Sequence, residues 1–164
     1  MVGPGCQPPP VAGGNALPAF NKLAIAEKGK GAFLNGERMY VQANVPLANC
    51  LIAYGIDSHK NNPDFTRKEC ALLAEIVLKV RSIRSSNSVY DAVLTAEGKY
   101  AASLHRNNKI WDNAAQQIIL EEAGAQGRVD RGHEATQDAV FVQAGHAVEH
   151  DRQRVQAGID LGAA

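Results

Sequence analysis

Trp111 and Asp112 stand side by side in front of a run of good helix formers, and the aspartate is a residue that could do chemistry there. At a helix start, a carboxylate accepts hydrogen bonds from free backbone N–H groups and favours the positive end of the helix dipole. The same carboxylate can hold a metal ion with its remaining lone pairs. Capping alone explains Asp112 adequately, and both roles remain open. The tryptophan beside it suggests a buried anchor.

A second set of candidate metal ligands lies near the C-terminus. His146 and His150 are four residues apart with Glu149 beside them, so they would share a helix face in a geometry that can bind zinc. The pattern lacks the internal glutamate of a metalloprotease helix, and its only further ligands are His133 or Glu134. A solvated helix face is the alternative that we favour.

Other conspicuous residues predict structure rather than chemistry. The segment EKGKGAF lacks the spacing and terminal Lys-Ser/Thr of a phosphate loop, so its glycines indicate close strand approach or a bulge. Pro63-Asp64-Phe65-Thr66 is interpreted as a helix start rather than as a metal motif. Cys50 lies in an apolar stretch and is predicted to be buried and inert. Cys70 has no adjacent base that could activate it.

Composition narrows the class of protein. The 164 residues are 45% hydrophobic, which is sufficient for one domain with a core. Seventeen basic and seventeen acidic residues balance, so no net field favours nucleic acid or an anionic membrane. Three cysteines without close spacing favour reduced thiols. The N-terminal residues MVGPGCQPPP lack the basic start and the apolar stretch of a signal peptide, and no apolar run approaches the roughly 18 residues needed to span a bilayer. We therefore expect a cytoplasmic protein.

The chain divides into three zones. Residues 1–14 are mostly proline and glycine and are predicted to be a disordered lead-in, with a strand adjoining Gly13 and Gly14 as the alternative. Residues 15–125 have the strand and helix patterns of a folded α/β region. Residues 126–164 hold no recognisable strand, and their partial helical periodicity, interrupted by Gly145 and Gly158, is expected to form a divergent tail with some helix.

Within residues 15–125, strand and helix patterns alternate, which indicates an α/β layer arrangement. Asn35-Gly36 suits a type I′ hairpin turn because both residues tolerate positive φ. Ser88 is predicted to cap a helix that Gly98 ends. The other predicted elements are a strand in ANCLIAYGI, a helix from Pro63-Asp64 with the apolar positions Leu72, Leu73, Ile76, Val77 and Val80, strands in VRSIRS and YAASL, and a helix after Asp112.

Three stretches, in the right order, resemble the inositol monophosphatase family. NKIWDNAAQQIILEEAGA resembles its C-terminal signature, in which Trp-Asp precedes a small-residue helix that ends in Glu-Ala-Gly. AEKGKGAFLNGERM resembles the family's glycine-bearing hairpin. RSSNSVYDAVLTAEGKY is similar to its substrate-side helix, with Gly98 fourteen residues before Asp112. Three collinear matches are far more specific than one.

The resemblance implies the C-terminal half of a layered α/β sandwich of the inositol monophosphatase and fructose-1,6-bisphosphatase type. It also implies a Mg2+-dependent phosphomonoesterase that acts on inositol phosphates, related sugar phosphates or nucleotide phosphates, with water as nucleophile and the metal as Lewis acid. Its expected partner is a small phosphorylated substrate, not a nucleic acid polymer or a membrane.

The resemblance also assigns roles to residues. Asp112 would be a Mg2+ ligand, and Ser86, Asn87 and Ser88 fall where the family offers small or polar groups to the substrate. The positive charge at a helix N-terminus would also favour the phosphate. His105 stands where many relatives carry a glutamate that touches substrate hydroxyls. It would hydrogen-bond a sugar, or it is a plain surface histidine on a strand end.

The chain departs from the family pattern upstream, where neither the expected glutamate nor an Asp-Pro-x-Asp-Gly-Thr motif is found. Ala125 also replaces a usual glycine. We therefore expect a truncated chain that is inactive by itself. The alternative is a non-catalytic module that binds a phosphorylated ligand or assembles with a chain that supplies the carboxylates. A homodimer is also expected, because a half-fold leaves apolar sheet surface uncovered.

Overall fold

The computed structural model describes residues 9–131 and 136–142, which form two sheets and three α-helices. The first sheet is antiparallel in the order β1-β2-β3-β4. Its strands are β1 (Ala12–Leu17), β2 (Lys22–Glu27), β3 (Gly31–Leu34) and β4 (Glu37–Arg38).

The hairpin between β3 and β4 follows the sequence prediction. Asn35 and Gly36 have φ angles of 50° and 89°, so both adopt the left-handed conformation that a type I′ turn requires. Along β2, alternate side chains point to opposite sides, with Ala24 and Ala26 buried and Ile25 about half exposed. This sheet therefore has one covered face and one open face.

Strand β1 begins at Ala12, so the predicted lead-in is wrong for residues 12–14. A Cβ atom on Gly13 would lie 2.7 Å from Cγ2 of Ile118 and 2.9 Å from Cα of Ala115. The glycine is thus required by a helix that packs directly on the strand. Local propensity, which disfavours glycine in strands, is overridden by this packing.

The glycines of EKGKGAF lie at the turn between β2 and β3, and the register of this strand pair runs without the bulge that the sequence pattern indicated as one alternative. The backbone N–H groups of Gly29 and Gly31 each donate a hydrogen bond to the carboxylate of Glu122, at 2.8 Å. Arg38 donates to the carbonyl oxygen of Lys30 at 2.7 Å and closes the other side of the turn. These two amides of the turn are therefore occupied by Glu122.

The second sheet is mixed, in the order β6-β5-β7-β9-β8. Strands β6 and β7 run parallel to β5, whereas β9 is antiparallel to both β7 and β8. The strands are β5 (Leu51–Gly55), β6 (Ser82–Arg84), β7 (Ala102–Lys109), β8 (Gln126–Arg131) and β9 (Thr136–Val142).

Strands β8 and β9 correct the expectation that no strand follows residue 126. The segment TQDAVFV is rich in residues that favour strands, and β9 pairs along the edge of β7 that β5 leaves open. Long-range backbone pairing therefore determines the structure there, and the partial helical periodicity does not. The remainder of the predicted tail, including His133, Glu134, His146, Glu149 and His150, lies outside the described residues.

The three helices are α1 (Pro63–Val77), α2 (Val89–Ala96) and α3 (Ile110–Glu122). Helix α1 begins as predicted, with Pro63 in its first turn and the Asn62 side chain accepting a hydrogen bond from the backbone N–H of Phe65. Ile76 is buried on the apolar face of α1. Val77 is 47% exposed, so the prediction that it belongs to this face is wrong. Among residues 9–131 and 136–142, no helix has the length and apolar character to cross a bilayer.

Helices α2 and α3 pack between the two sheets, and α1 covers the far side of the second sheet. One apolar cluster joins the first sheet to α2 and α3, with Ile118, Ile119 and Leu120 buried. Another joins α1 to Ile52 and Tyr54 of β5. These layers confirm the predicted α/β sandwich.

The two cysteines in the described residues, Cys50 and Cys70, are both predicted to have no catalytic role. Cys50 is buried, its Sγ donates to the carbonyl oxygen of Pro46 at 3.3 Å, and burial raises the pKa of the thiol. A thiol with a raised pKa holds little of the nucleophilic thiolate form, which agrees with the predicted inert role. Cys70 is exposed on α1.

Candidate functional site

The polar residues of the site lie where the parallel strands of the second sheet end. Gly55 ends β5 and stands in register with His105 of β7. The segment 86–88 follows β6 and leads into α2, while β7 leads into α3. Since the carboxyl ends of parallel strands meet at one edge of a sheet, these segments share that edge.

The N-terminus of α2 is organised by two side chains. The Ser88 Oγ accepts a hydrogen bond from the backbone N–H of Tyr90 at 3.2 Å, which confirms the predicted cap. Asp91 Oδ2 accepts from the backbone N–H groups of Ser86 and Asn87, each at 3.1 Å. The carboxylate of Asp91 is 1% exposed.

Asp91 changes what this helix end can offer a ligand. Because its carboxylate already accepts from the N–H groups of Ser86 and Asn87, which precede the N-cap Ser88, these two amides are not free for a ligand. The hydroxyls of Ser86 and Ser88 remain exposed and lie 2.9 Å apart. The sequence signal was the spacing Ser88-x-x-Asp91, which is a capping-box pattern.

His105 is buried, with 3% of its surface exposed, so the alternative of a plain surface histidine is wrong. Its Nε2 lies 2.9 Å from the Oγ of Ser103, which is also buried. Burial lowers the pKa of His105, and the nearby carboxylates of Asp91 and Asp57 offset part of that effect. The imidazole is therefore neutral at pH 7.

Gly55 brings two polar side chains together. A Cβ atom at Gly55 would lie 2.5 Å from Oδ1 of Asn87 and 2.9 Å from Nδ1 of His105, so both atoms face one small space above the glycine. Asn87 Nδ2 also donates to Oδ1 of Asp57 at 2.9 Å. Sequence reasoning missed Gly55 and Asp57, although both come at or just after the predicted buried strand, where ligand-binding residues of α/β sheets lie.

We expect Gly55→Ala to displace Asn87 and His105. The backbone of Gly55 does not have a positive φ, so the added methyl group acts through these contacts alone. Overpacking of this kind costs about 1–3 kcal/mol in the free energy of unfolding, which urea denaturation measures. Adding Asn87→Ala to the variant should recover part of the loss. Equal stability of Gly55→Ala and the native chain would contradict this contact.

Asp112 is the third residue of α3, which begins at Ile110. Its Oδ2 accepts a hydrogen bond from the backbone N–H of Lys109 at 3.1 Å, so the aspartate does cap the helix, from inside the first turn. Trp111 is 70% exposed, and the prediction of a buried anchor is wrong. Asn113, which is 1% exposed, takes the inward position instead.

The donor set beside Asp112 does not complete a magnesium site. Among the side chains that the structure describes, in residues 9–105, 108–109 and 111–126, no group of three or more His, Cys, Asp and Glu residues is arranged to hold a metal ion. Mg2+ requires near-octahedral oxygen coordination, to which proteins usually give one or two carboxylates while phosphate and water supply the remainder. Asp112 is exposed and offers one carboxylate, one oxygen of which already accepts from Lys109.

Comparison with known proteins gives consistent matches. Residues 7–156 match the profile of the inositol monophosphatase family. A fructose-1,6-bisphosphatase/inositol-1-monophosphatase of Aquifex aeolicus is 31% identical over 120 residues, covering 70% of this chain and 43% of that protein. An inositol-1-monophosphatase of Caulobacter vibrioides is 33% identical over 132 residues, covering 79% of this chain and 50% of that protein. The structure of an IMPase of Thermotoga maritima superposes with a TM-score of 0.72 at 27% identity, covering 93% of this chain and 58% of its own.

The fold defines the class as a layered α/β protein with polar residues at the carboxyl ends of parallel strands. The chain belongs to the inositol monophosphatase family, a family of phosphatases. The match reaches residue 156, beyond residue 125, where the sequence patterns alone gave no alignment. The chain spans about half the length of the relatives it matches, 43% and 50% for the two proteins above.

Proposed function

We propose that this chain is the substrate-binding part of a phosphomonoesterase whose ligand is a small phosphorylated polyol, sugar or nucleotide. The observation that supports it best is the convergence of Asn87 and His105 above Gly55, on the edge where β7 leads to Asp112. The hydroxyls of Ser86 and Ser88 extend the polar surface beside them. His105 is buried, so it reaches a ligand only at the floor of this surface.

The cofactor that we propose is Mg2+, with Asp112 as one of its ligands. The exposed position of Asp112 at the start of α3 supports a role towards solvent. The described residues do not complete the coordination, so further carboxylates would come from other segments of a longer protein or from a second chain.

We expect the purified chain, given Mg2+ and inositol 1-phosphate, to release phosphate no faster than a protein-free blank. The reason is that the described residues supply a single carboxylate ligand where two-metal hydrolysis needs several. A phosphate-release assay on the native chain and on Asp112→Asn measures this, with Asp64→Asn, an exposed aspartate on α1, as the control. Brisk turnover that disappears only in Asp112→Asn would overturn the expectation.

The second candidate function is a non-catalytic module that binds a phosphorylated ligand or assembles with another chain. The absence of a completed metal-ligand group among the described residues favours this candidate. Calorimetric titration with Mg2+ and a sugar phosphate separates the two: binding without turnover supports the module, whereas neither binding nor turnover argues against both.

We also propose a cytoplasmic protein that forms a homodimer and has no nucleic acid or membrane partner. The open face of the first sheet supports self-association, because Leu23 and Ile25 of β2 are 48% and 47% exposed on it. Balanced charge supports the same proposal, since two copies do not repel each other through a net charge.

A further inference from the structure

Asp57 is an exposed carboxylate whose contacts lead inwards to the buried part of the site. Its Oδ1 accepts a hydrogen bond from Nδ2 of Asn87, thirty positions along the chain. Asn87 in turn has a φ of 50°, a left-handed conformation that asparagine tolerates better than most residues. The Asp91 carboxylate holds the backbone N–H of Asn87, so both its backbone and its side chain are fixed.

A carboxylate settles which way the Asn87 amide faces. An ionised carboxylate accepts hydrogen bonds and cannot donate, so only the NH2 group of the amide can face Asp57. The Asn87 Oδ1 must then point the other way, into the space above Gly55. In this way Asp57 determines that an acceptor, not a donor, occupies that space.

The orientation of the amide bears on His105, whose Nδ1 faces the same space. A neutral imidazole carries its proton on one nitrogen, and the partners of the two nitrogens select which one. Asn87 Oδ1 and His105 Nδ1 border this space at 2.5 Å and 2.9 Å from a Cβ atom placed on Gly55, so an acceptor on the Asn87 side favours the proton on Nδ1. The unprotonated Nε2 can then accept a hydrogen bond from the hydroxyl of Ser103, 2.9 Å away.

We propose that Asp57 is a positioning residue of this site, which fixes the direction of the Asn87 amide and, through it, the tautomer of His105 with the proton on Nδ1. The acceptors that this part of the site presents are then Asn87 Oδ1, in the space above Gly55, and the second oxygen of Asp57. Acceptors attract a donor and repel an anion, so this part of the site takes a hydroxyl group of the ligand and not its phosphate. The inference about the ligand hydroxyl rests on the proposed function, whereas the inference about the His105 tautomer does not.

The direct test is the protonation of the His105 ring in the 15N-labelled full chain. Long-range 1H–15N spectra at neutral pH distinguish the two ring nitrogens, and His105→Gln assigns the signal among the five histidines of the sequence. We expect the proton on Nδ1 in the native chain and a mixture of tautomers in Asp57→Asn, whose amide can present either group to Asn87. Asp64→Asn is the matched control and should leave the spectrum unchanged.

Two results would overturn the positioning role: a native ring protonated on Nε2, or the same tautomer in Asp57→Asn as in the native chain. If Asp57→Asn does not fold, Asn87→Ala replaces it, because removing the amide must abolish the preference by the same reasoning.

Ligand titration separates this role from the proposed function. Asp57→Asn should weaken binding of inositol 1-phosphate by about tenfold, the effect of one hydrogen bond, and should not weaken binding of inorganic phosphate. If the native chain binds neither ligand while the tautomer responds to Asp57→Asn, the proposed function fails and the positioning role stands. If the ligand binds and the tautomer does not respond, the positioning role fails.

Discussion

Replacing Gly13 by alanine is expected to lower the free energy of unfolding by about 1–3 kcal/mol, or by more if α3 has to move as a unit. The added methyl group would lie 2.9 Å from the backbone Cα of Ala115 and 2.7 Å from the side chain of Ile118. A side chain can rotate away, but the helix backbone cannot do so without lifting α3 from β1. Urea denaturation followed by circular dichroism measures the loss.

Gly14 provides the matched control one position along the same strand. A Cβ there would meet only the carbonyl oxygen of Ala24 and Cγ2 of Ile25, both at 3.5 Å, which is ordinary van der Waals contact. Gly14→Ala should therefore change stability by no more than roughly 0.5 kcal/mol. Equal losses for Gly13→Ala and Gly14→Ala would show that strand flexibility, and not the helix contact, explains the glycines.

Replacing Glu122 by alanine is expected to cost roughly 1.5–3 kcal/mol in the free energy of unfolding. The carboxylate accepts from the backbone N–H groups of Gly29 and Gly31, both at 2.8 Å, and so connects the end of α3 to the β2–β3 turn. Truncation leaves these two amides without their charged acceptor. One of the two bonds is exposed, which keeps the loss within this range.

Two further variants test the Glu122 bonds. Glu121 is exposed and, among the side chains that the structure describes, accepts only from Gln117, at 2.8 Å, so Glu121→Ala should be close to neutral. Glu122→Gln retains one acceptor oxygen and should fall between the native chain and Glu122→Ala. If Glu122→Ala were as stable as Glu121→Ala, the β2–β3 turn would be stable without the Glu122 carboxylate.

Local patterns predicted most of the elements between residues 15 and 125. Ser88 caps α2 and Gly98 ends it with a φ of 73°, because both effects depend on a few adjacent residues. The same patterns failed at β1, where glycines that disfavour a strand are required by contact with α3, and at β9, which pairs with β7 some thirty positions earlier. Neither a contact with a distant helix nor a pairing at that distance has a signature in a short window of residues.

The site divides in the same way. Residues 86–88 and His105 could be selected from their types and from the family resemblance, and the structure places them at one sheet edge. Asp57 could not be selected from the sequence, because its contact with Asn87 spans thirty positions. The orientation of Trp111 was also beyond reach, since a helix that starts at Ile110 instead of at Asp112 turns a different side chain towards the core.

The exposure of Trp111 has a consequence for optical work on this protein. It is the only indole of the chain and is already 70% exposed in the folded state, so its fluorescence is that of a hydrated ring before any unfolding. The fluorescence emission of Trp111 is consequently a poor probe for the unfolding of the core. Because the ring adjoins Asp112, the same emission is a built-in, label-free probe for a quencher or an ion that arrives at the start of α3.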